Sequence, residues 1–510
     1  MKRLFSIVFI FLCSVAYGQL NYQKPDSNLI ARANSQVEVA SLLIDVNVDF
    51  FKKSFVQLIN GEEVHSLNIH VDDAKYLNIY FDALKISETS VLEVYNEVGE
   101  LELKVNSKTN PKGSLYAVPP IKGSRLKLIF KGGKSDSKIS IGEVGYFWKS
   151  IDDISSSGFC EVDVNCSEGE EWGNQKNGVV RLLLKTNSSS VYCSGTLMNN
   201  TSRDCRPYVL SADHCVDNVS PDNLKQSFAY FNYENSSCDL ENATSDNFIL
   251  GMTLRASTSF NNSSDILLLE LDEAIPLEYS PYYNGWNISN AIFSGGVSIH
   301  HPKGDVKKVS TYTTNLITAD EAGLTENAFW RVNWVETTNG HGVTETGSSG
   351  APIFNHEKLV VGVLSVGTSF CSKPEDPDYY GKVSYSWDSQ LDSLKRLDVW
   401  LDPIQTREES ITGSYFPCDD TTEHYVPQDS MIIKLNPTFE GISVYVEQSI
   451  ANSVEVFLYD VSGKIILSKE EASSNITLIE FPTQNIRNGL YLIVVQAGNK
   501  EQIFKVVVVN

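Results

Sequence analysis

The sequence predicts a mainly β protein built from several domains. Its apolar runs are short, alternate with polar residues and are bounded by glycine, asparagine and lysine, which is typical of strands and turns. A chain of 510 residues is too long for one ordinary hydrophobic core, so we expect two to four domains. Only one stretch, near residue 395, has the apolar spacing of an amphipathic helix.

The N-terminus predicts export. Lys2 and Arg3 precede an apolar run from Leu4 to Val15, and residues 16–18 read Ala-Tyr-Gly, the small-residue pattern of a signal peptidase site. We therefore expect residues 1–18 to be a signal peptide that is removed before Gln19. No later segment has the roughly 18 uninterrupted apolar residues of a membrane span, so the mature protein is expected to be exported and soluble, with no membrane span.

Charge and cysteine content fit an extracellular protein. The 64 carboxylates outnumber the 41 basic residues, which argues against nucleic acid or an anionic membrane as a partner. Outside the signal peptide the cysteines are even in number, which predicts disulfides, with metal binding as the alternative. Their spacing is not the paired C-x-x-C of a zinc site, so we expect neither a metal nor a cofactor. They are Cys160, Cys166, Cys193, Cys205, Cys215, Cys238, Cys371 and Cys418.

Residues 19–149 form the first predicted domain. Strand-like runs such as Tyr76–Phe81 and Leu126–Phe130 alternate with turn residues, and the region contains no cysteine. It also has no convincing cluster of serine, histidine and acid. Its position between a signal peptide and a cysteine-rich region predicts a β-rich pro-region.

Residues 150–405 contain all the candidate chemistry. Their short apolar runs predict a barrel or a sandwich. At the end of this region, leucines and a tryptophan recur at helical spacing over Ser389–Leu401, and Pro403 stops the pattern. We expect one amphipathic helix there, packed on the domain through its apolar face.

The C-terminal part is predicted to be a linker followed by a small domain. Residues 406–429 are polar and rich in turn formers, whereas residues 430–510 again alternate as strands and are long enough for a β-sandwich. The predicted strands are Val454–Tyr459, Ile476–Phe481, Leu490–Val495 and Ile503–Val509.

Gly342–Phe354 has the composition of a nucleophile turn. Ser349 lies between small residues and precedes an apolar run, which would hold its hydroxyl on a rigid support. The amides of Gly347 and Ser349 are candidates for an oxyanion hole. The alternative is an ordinary glycine-serine turn in a β protein.

A base and an orienting acid precede that turn in the chain. His214 ends an apolar strand and is followed by Cys215, an arrangement that would fix a general base near a nucleophile. Asp265 opens a strand and is a candidate to hold the second ring nitrogen of His214. Each has a structural alternative, but the order His214, Asp265, Ser349 is the chain order of the chymotrypsin-type fold.

From about Ser157 to Pro403 the chain resembles the bacterial lysyl endopeptidases, a branch of the trypsin-like serine proteases. The resemblance implies a chymotrypsin-like double β-barrel with the catalytic residues His214, Asp265 and Ser349. It also implies the disulfides Cys160–Cys371, Cys166–Cys238 and Cys193–Cys215, and we expect the remaining Cys205 and Cys418 to pair. The segments that carry the resemblance are Ser157–Cys166, Asn199–Thr201, Ser264–Asp265 before Leu268–Leu271, His300–Pro302, Gly342–Glu345 and Gly347–Gly350.

Specificity is expected to come from Asp378. Ordinary trypsins carry an acid six residues before the nucleophile, where this chain has Val343, whereas the acid of the lysyl branch matches Asp378. A carboxylate at the base of a narrow pocket selects a basic P1 side chain; the alternative is a solvated acid in a turn-rich loop. Ser365 replaces the pocket histidine of the family and residues 317–321 contain no aromatic residue, so we expect a basic P1 with lysine favoured over arginine. Ser365–Gly367 is expected to pair with the substrate backbone.

Residues 430–510 resemble the C-terminal sorting domain of proteins exported by the type IX system of Bacteroidota. The resemblance rests on Leu435–Thr438, Val456–Lys464 and Asn488–Val494, and the chain departs from the family by ending in Val-Asn instead of basic residues. It implies the type IX machinery as a partner and export through the periplasm of a Gram-negative bacterium to the cell surface or medium.

Together these features predict a secreted, monomeric serine endopeptidase made as a zymogen. Ser348 stands where pancreatic-type enzymes have an activation acid, and cleavage after Lys149 would match the predicted basic P1 preference. The alternative is a secreted adhesion or binding protein that keeps a protease-like fold without turnover.

Overall fold

A computed structural model describes residues 18–35, 39–149, 157–217, 219–238, 242–321, 323–389, 392–419, 431–437, 441–460, 463–482, 486–497 and 500–508. The predicted signal peptide, apart from Gly18, lies outside these residues. The chain divides into two compact units, Met1–Cys418 and Asp419–Asn510. None of the described helices is long and apolar enough to cross a membrane.

The N-terminal β domain, residues 18–149, consists of two sheets around one core. One sheet has the order β1-β4-β9-β6-β7, with β3 beside β4, and the other includes β2-β10-β5-β8. Alternate residues of β4 point inward, so the period-2 pattern of the sequence places Leu67 and Ile69 in the core with Phe81 and Phe130. The strands are β1 Gln19–Tyr22, β2 Val39–Asp49, β3 Phe55–Ile59, β4 Glu62–Val71, β5 Tyr76–Lys85, β6 Val91–Tyr95, β7 Leu101–Val105, β8 Tyr116–Lys122, β9 Arg125–Lys131 and β10 Lys138–Phe147.

Residues 150–405 are called the middle region. Its first half forms an antiparallel sheet with the order β16-β15-β12-β13-β14-β18-β17. Leu182, Val209 and Leu269 belong to its apolar core. The strands are β11 Val162–Asp163, β12 Val179–Lys185, β13 Ser189–Met198, β14 Tyr208–Ala212, β15 Phe228–Tyr230, β16 Phe248–Leu250, β17 Met252–Thr258 and β18 Ile266–Leu271.

The second half forms another sheet, with the order β11-β22-β21-β25-β26-β27-β24-β23. It has its own core around Trp334 and Ile353, and a third apolar cluster that includes Met198 and Phe354 joins the two halves. These sheets confirm the predicted mainly β fold class, with two β halves in the middle region. The strands are β19 Tyr282–Tyr283, β20 Trp286–Asn287, β21 Ser294–His300, β22 Lys308–Asn315, β23 Ile317–Thr318, β24 Phe329–Val332, β25 Pro352–Asn355, β26 Val360–Gly367, β27 Asp378–Lys382, β28 Ser410–Ile411 and β29 Ser414–Tyr415.

Helices are short and few among the described residues. The α-helices are α1 Ser27–Ser35, α2 Phe50–Lys53, α3 Gly173–Lys176, α4 Pro221–Leu224 and α5 Asp398–Leu401. The 3₁₀ helices are Ser167–Trp172, Asp213–Val216, Leu277–Tyr279, Pro302–Gly304, Ser393–Lys395 and Pro417–Asp419.

The helix predicted at the end of the middle region is present but much shorter than expected. A continuous helix over Ser389–Leu401 is wrong, because Arg396 is extended (φ −146°, ψ 147°) between the Ser393–Lys395 turn and α5. Leu397 and Leu401 are buried, whereas Leu394 is 57% exposed. Two of the predicted apolar contacts therefore form without the helix that the spacing suggested, and Leu391 lies outside the described residues.

The four predicted disulfides are all present: Cys160–Cys371, Cys166–Cys238, Cys193–Cys215 and Cys205–Cys418. The last one fastens the segment after α5 to the chain just before β14. Within that segment β28 pairs with β20 and β29 pairs with β19. The first part of the predicted 406–429 linker is thus packed on the middle region, and residues 420–429 lie outside the described residues.

The C-terminal unit is a sheet with the order β30-β31-β33-β34 and β32 beside β31. Val456, Leu458 and Ile493 lie in its core. Three of the four strands predicted here lie within longer observed ones, and the fourth, Ile503–Val509, is found as far as Val508, with Val509 outside the described residues. The strands are β30 Met431–Pro437, β31 Gly441–Asp460, β32 Ile465–Pro482, β33 Gly489–Ala497 and β34 Lys500–Val508.

Candidate active site

His214 and Asp265 form a hydrogen-bonded pair. β14 ends at Ala212 and turns into a short 3₁₀ helix that holds His214, while the Cys193–Cys215 disulfide fixes this turn to β13. Nδ1 of His214 lies 2.7 Å from Oδ2 of Asp265, and the His214 backbone N–H donates to Oδ1 at 3.0 Å. Two contacts thus fix the imidazole orientation and leave Nε2 as the ring nitrogen that can serve as a base.

Asp265 is held in a conformation that few non-glycine residues adopt. Its φ is +56°, in the left-handed region, and its side chain is fully buried. The Asp213 N–H donates to the Asp265 carbonyl at 3.1 Å, and the Ser365 hydroxyl donates to the Asp265 carboxylate. Such backbone strain persists when surrounding bonds over-determine it, and it is frequent at active sites.

The Ser365 side chain therefore faces the acid. Sequence reasoning placed this residue in substrate binding and gave it no role towards Asp265. The preceding strand residues offered no signal, because the contact joins β26 to the start of β18 across 100 residues. Ser365 and Val366 also border a cavity of about 350 Å³ that contains His214 and Asp217, so this edge of β26 remains beside the candidate site.

Local acids raise the pKa of His214. Burial alone would lower that pKa, but the hydrogen bond and charge of Asp265, together with the charges of Asp217 and Asp213, outweigh it. The imidazolium that forms when His214 accepts a proton is therefore stabilised, as a general base requires.

The turn that contains Ser349 packs directly on the strand end that holds His214. Gly350 has φ +81°, and a Cβ there would lie 2.1 Å from Ser211 Oγ, so only glycine allows this approach. The Ser349 carbonyl accepts from the Ser194 N–H at 2.8 Å and lies 3.9 Å from Cys215 Sγ. Ser349 is therefore beside the His214 turn.

Gly347 and Ser349 present free amides in this turn. Neither N–H donates to an acceptor within the described part of the chain, although the neighbouring Ser348 and Gly350 amides donate to Glu345 O and Leu364 O. Gly347 has φ +92°, which glycine adopts without strain. Two unpaired amides on one rigid turn are suited to an oxyanion hole.

Ser348 is anchored by a histidine that the sequence analysis left without a role. His300 Nδ1 lies 2.7 Å from Ser348 Oγ, and His300 Nε2 lies 3.0 Å from Ser310 Oγ. Burial, reinforced by the positive charge of Lys308, lowers the pKa of His300 to about 3. The neutral His300 side chain thus contacts Ser348, the residue at the position of the activation acid in pancreatic-type enzymes. This contact does not depend on an N-terminus that cleavage would create.

Asp378 is deeply buried and fully hydrogen-bonded. The side chains of Trp334, Thr344 and Ser369 donate to Oδ2 at 2.6, 2.7 and 2.7 Å. The backbone amides of Thr368 and Ser369 donate to Oδ1 at 2.8 and 2.9 Å. Burial raises the pKa of Asp378 although these bonds oppose it. Asp378 therefore has no bare oxygen, and Trp334, which donates to it, was not singled out in the sequence.

Gly367 lies directly above Asp378. A Cβ at this position would be 2.8 Å from Thr344 Oγ1 and 3.2 Å from Asp378 Oδ1. The glycine thus keeps open the space over the carboxylate and the hydroxyl that donates to it. The predicted substrate residues Gly367 and Asp378 are adjacent, paired across β26 and β27.

Comparison with known families supports both sequence resemblances. Residues 154–381 match the model described as lysyl endopeptidase, C-terminal domain, and residues 436–510 match the secretion system C-terminal sorting domain. Both resemblances predicted from motifs are thereby confirmed.

A curated relative is the lysyl endopeptidase of Pseudomonas aeruginosa PAO1, 29% identical over 293 residues, which are 53% of this chain. The match spans 61% of the relative's length. Among solved structures, a thermostable serine protease AL20 from an extremophilic microorganism is 12% identical with a TM-score of 0.29, over 41% of this chain and 91% of its own. A Glu endopeptidase in complex with MPD is 16% identical with a TM-score of 0.28, over 45% and 92%.

Proposed function

We propose that the middle region is a serine endopeptidase that cleaves peptide bonds after basic residues. The observation that carries the proposal is the 2.7 Å contact between His214 and Asp265, with the Ser349 turn packed against the same strand end. The family match over residues 154–381 supports the same reaction class.

The reaction follows from these positions. The Ser349 hydroxyl oxygen attacks the peptide carbonyl while His214 Nε2 takes its proton, and Asp265 stabilises the imidazolium. The Gly347 and Ser349 amides hold the oxyanion. His214 then protonates the leaving amine, the C–N bond breaks, and an acyl-enzyme remains. Water attacks this ester with His214 again as base, which releases the acid and regenerates Ser349.

We infer that Asp378 selects a basic P1 side chain through the hydroxyls that donate to it. Thr344 and Ser369 each point a hydrogen at the carboxylate, and Ser369 Oγ also accepts from the Thr344 N–H at 3.2 Å, so the remaining oxygen lone pairs can accept from a P1 ammonium. The carboxylate then acts as a buried negative charge behind polarised acceptors. A lysine ammonium, a compact donor with three hydrogens, fits such acceptors better than a planar guanidinium, which favours lysine over arginine.

Digestion of a peptide library by the processed protein tests this function. Cuts are expected predominantly after lysine and less often after arginine, and the Ser349→Ala protein should produce none of them. A majority of cuts after acidic or apolar residues would refute the role of Asp378.

The activity is expected to fall at acid pH with a midpoint above the ordinary histidine value. His214 must be neutral to act as a base, and its raised pKa means that protonation begins at higher pH. Asp217→Asn removes one of the charges that raise this pKa, so the acid limb should move to lower pH. The measurement is kcat/KM across the pH range, with Asp222→Asn in α4 as the control. An unchanged acid limb in Asp217→Asn would contradict this electrostatic account.

We propose that the C-terminal unit directs export through the type IX machinery and that the mature enzyme is a monomer. The family match over residues 436–510 and the four disulfides support an exported protein at the cell surface or in the medium. The periplasmic route follows from the presence of both a signal-like N-terminus and a sorting domain.

Self-processing after Lys149 is expected because the enzyme prefers a basic P1. N-terminal sequencing of the secreted wild type should find an N-terminus at Ser150, whereas the Ser349→Ala protein should have none there. Identical N-termini in both proteins would show that another protease performs the cut.

A further inference from the structure

The N-terminal β domain extends the first sheet of the middle region. β2 pairs antiparallel with β13, with Leu42, Ser41 and Val39 opposite Ser189, Ser190 and Val191. The Leu43 N–H also donates to the Ser188 carbonyl at 3.0 Å. The two domains thus share one continuous hydrogen-bonded sheet.

Side chains on both sides of this junction form a common apolar cluster. It combines aromatic and aliphatic residues of the N-terminal β domain with residues of β12, β13 and β15. The fully or nearly buried members are Ala40, Tyr76, Tyr80, Ala117, Phe147, Leu183, Tyr192, Phe228 and Tyr230. Loss of the N-terminal β domain would expose Tyr192 and Tyr230 to water, which is unfavourable for large aromatic surfaces.

Buried polar contacts add specificity to the junction. Lys185 Nζ lies 2.7 Å from Glu143 Oε2, with side chains only 7% and 21% exposed. The Gln226 amide nitrogen donates at 3.0 Å to two carbonyls of the N-terminal β domain, Phe81 O and Tyr116 O. A buried charge that loses its partner is strongly unfavourable, so both domains are held in one register.

The docked domain does not block the site around His214. The described residues that border the cavity beside His214 all come from the middle region: Asp213, His214, Asp217, Ser259, Phe260, Asn261, Asp265, Ser365 and Val366. A domain that pairs with the Ser189–Val191 end of β13 and lines no part of this cavity lacks the geometry of a plug in it.

The shared cluster instead contacts the turn at Gly304, which packs against the candidate oxyanion hole. The buried guanidinium of Arg181 lies 4.7 Å from the ring centroid of Tyr230 and 5.2 Å from that of Tyr192, and Nη1 donates to the Gly304 carbonyl at 2.9 Å. The Tyr192 ring also packs on Gly304, where an added Cβ would lie 2.4 Å from the ring.

Gly304 and its neighbour Lys303 contact Gly347. A Cβ on Gly347 would lie 2.8 Å from Lys303 N and 3.0 Å from Gly304 N, and the Lys303 N–H donates to Thr346 O at 2.6 Å. A continuous set of contacts therefore leads from the N-terminal β domain through Tyr192 and Arg181 to the amide of Gly347.

We propose that the N-terminal β domain stays bound to the enzyme after the connecting chain is cut, and that its binding holds the Arg181–Gly304 contact that shapes the oxyanion turn. The second half rests on the proposed protease function, whereas the first half does not. The N-terminal β domain then remains part of the folded, active protein after the cut.

The binding is tested on the full chain with a recognition site for an added, specific protease placed after Lys149. Ser349→Ala is included in one version so that no activity of the chain itself interferes. After the cut, the N-terminal fragment is expected to co-elute with the rest at a one-to-one ratio in gel filtration. Elution of the two wild-type pieces apart under native conditions would overturn the proposal.

The disrupting variant is Glu143→Lys, which places two cations at the junction. After the cut it should release the fragment, and kcat should fall by about tenfold or more with KM nearly unchanged, since loss of an oxyanion donor acts on kcat. The exchange Glu143→Lys with Lys185→Glu should restore co-elution and kcat. Glu62→Lys, an equal charge change at an exposed position on β4, is the matched control.

Two results of this arm would contradict the coupling to Gly347. Release of the fragment with unchanged kcat would show that the turn keeps its shape alone, and a rise in kcat would identify the fragment as an inhibitor. If the wild type hydrolyses no peptide at all, the protease function fails while the co-elution result still decides whether the domain stays bound.

Arg181→Lys should lower kcat more than it changes KM, because a shorter donor loses the Gly304 contact.

Discussion

Replacement of Ser349 by alanine is expected to lower kcat by about 10⁶-fold, and His214→Ala should cost nearly as much. The two residues act as a unit: without the His214 base the Ser349 hydroxyl stays protonated, and without the hydroxyl no acyl-enzyme forms. The double variant should therefore be no worse than either single variant.

The measurement is steady-state hydrolysis of a lysyl amide substrate by proteins that are all cut after Lys149 with an added, specific protease, because the Ser349→Ala and His214→Ala chains are not expected to process themselves. Ser393→Ala, an exposed serine in the same chain as the active site, serves as the matched control, and circular dichroism reports folding. Additive losses, with the double variant far below both singles, would show that His214 and Ser349 do not cooperate in one step.

Asp378→Asn is expected to lower kcat/KM for lysyl substrates by about 10² or more, the loss typical of an unpaired cation in a buried site. The substitution removes the charge, and the new NH2 group points its hydrogens either at the two donors to Oδ1 or at the three donors to Oδ2. Without the carboxylate charge, the Thr344 and Ser369 hydroxyls are less strongly oriented with their lone pairs towards the P1 ammonium.

The control for Asp378→Asn is Glu375→Gln, an acid in the same loop whose side chain is 86% exposed. It should leave kcat/KM within about twofold, because exposed charges are screened by solvent. Active-site labelling of both variants shows whether the Ser349 turn is intact. An undiminished preference for lysine in Asp378→Asn, with normal labelling, would show that a group other than Asp378 selects the P1 side chain.

The sequence predicted the strands and the three catalytic candidates because each has a local signal or a recognisable motif. The disulfide pairs were predicted because the family resemblance implies three of them and leaves two cysteines to pair. The setting of Asp378 had no such signal. Its donors come from Trp334, Thr344 and the Thr368–Ser369 loop, which meet only in the folded sheet. The sequence therefore predicted Asp378 as a pocket acid without its hydrogen-bond donors, whereas in the structure both carboxylate oxygens accept hydrogen bonds.

Two other features also depended on tertiary contacts. Apolar spacing predicted one helix before Pro403, but Leu397 is buried while Leu394 is exposed, and Arg396 breaks the helix and pairs with Asp398. Packing overrode a weak local preference there. The β2–β13 junction joins strands that are far apart in the chain, and each strand alone looks like any half-buried strand.

Covalent labelling with a fluorophosphonate tests the central claim that Ser349 is a nucleophile activated by His214. After both proteins are cut at Lys149 by an added protease, peptide mass mapping should place a single label on Ser349 in the wild type, with none in His214→Ala under the same conditions. A label on another serine, or equal labelling of Ser349 in wild type and His214→Ala, would contradict the account.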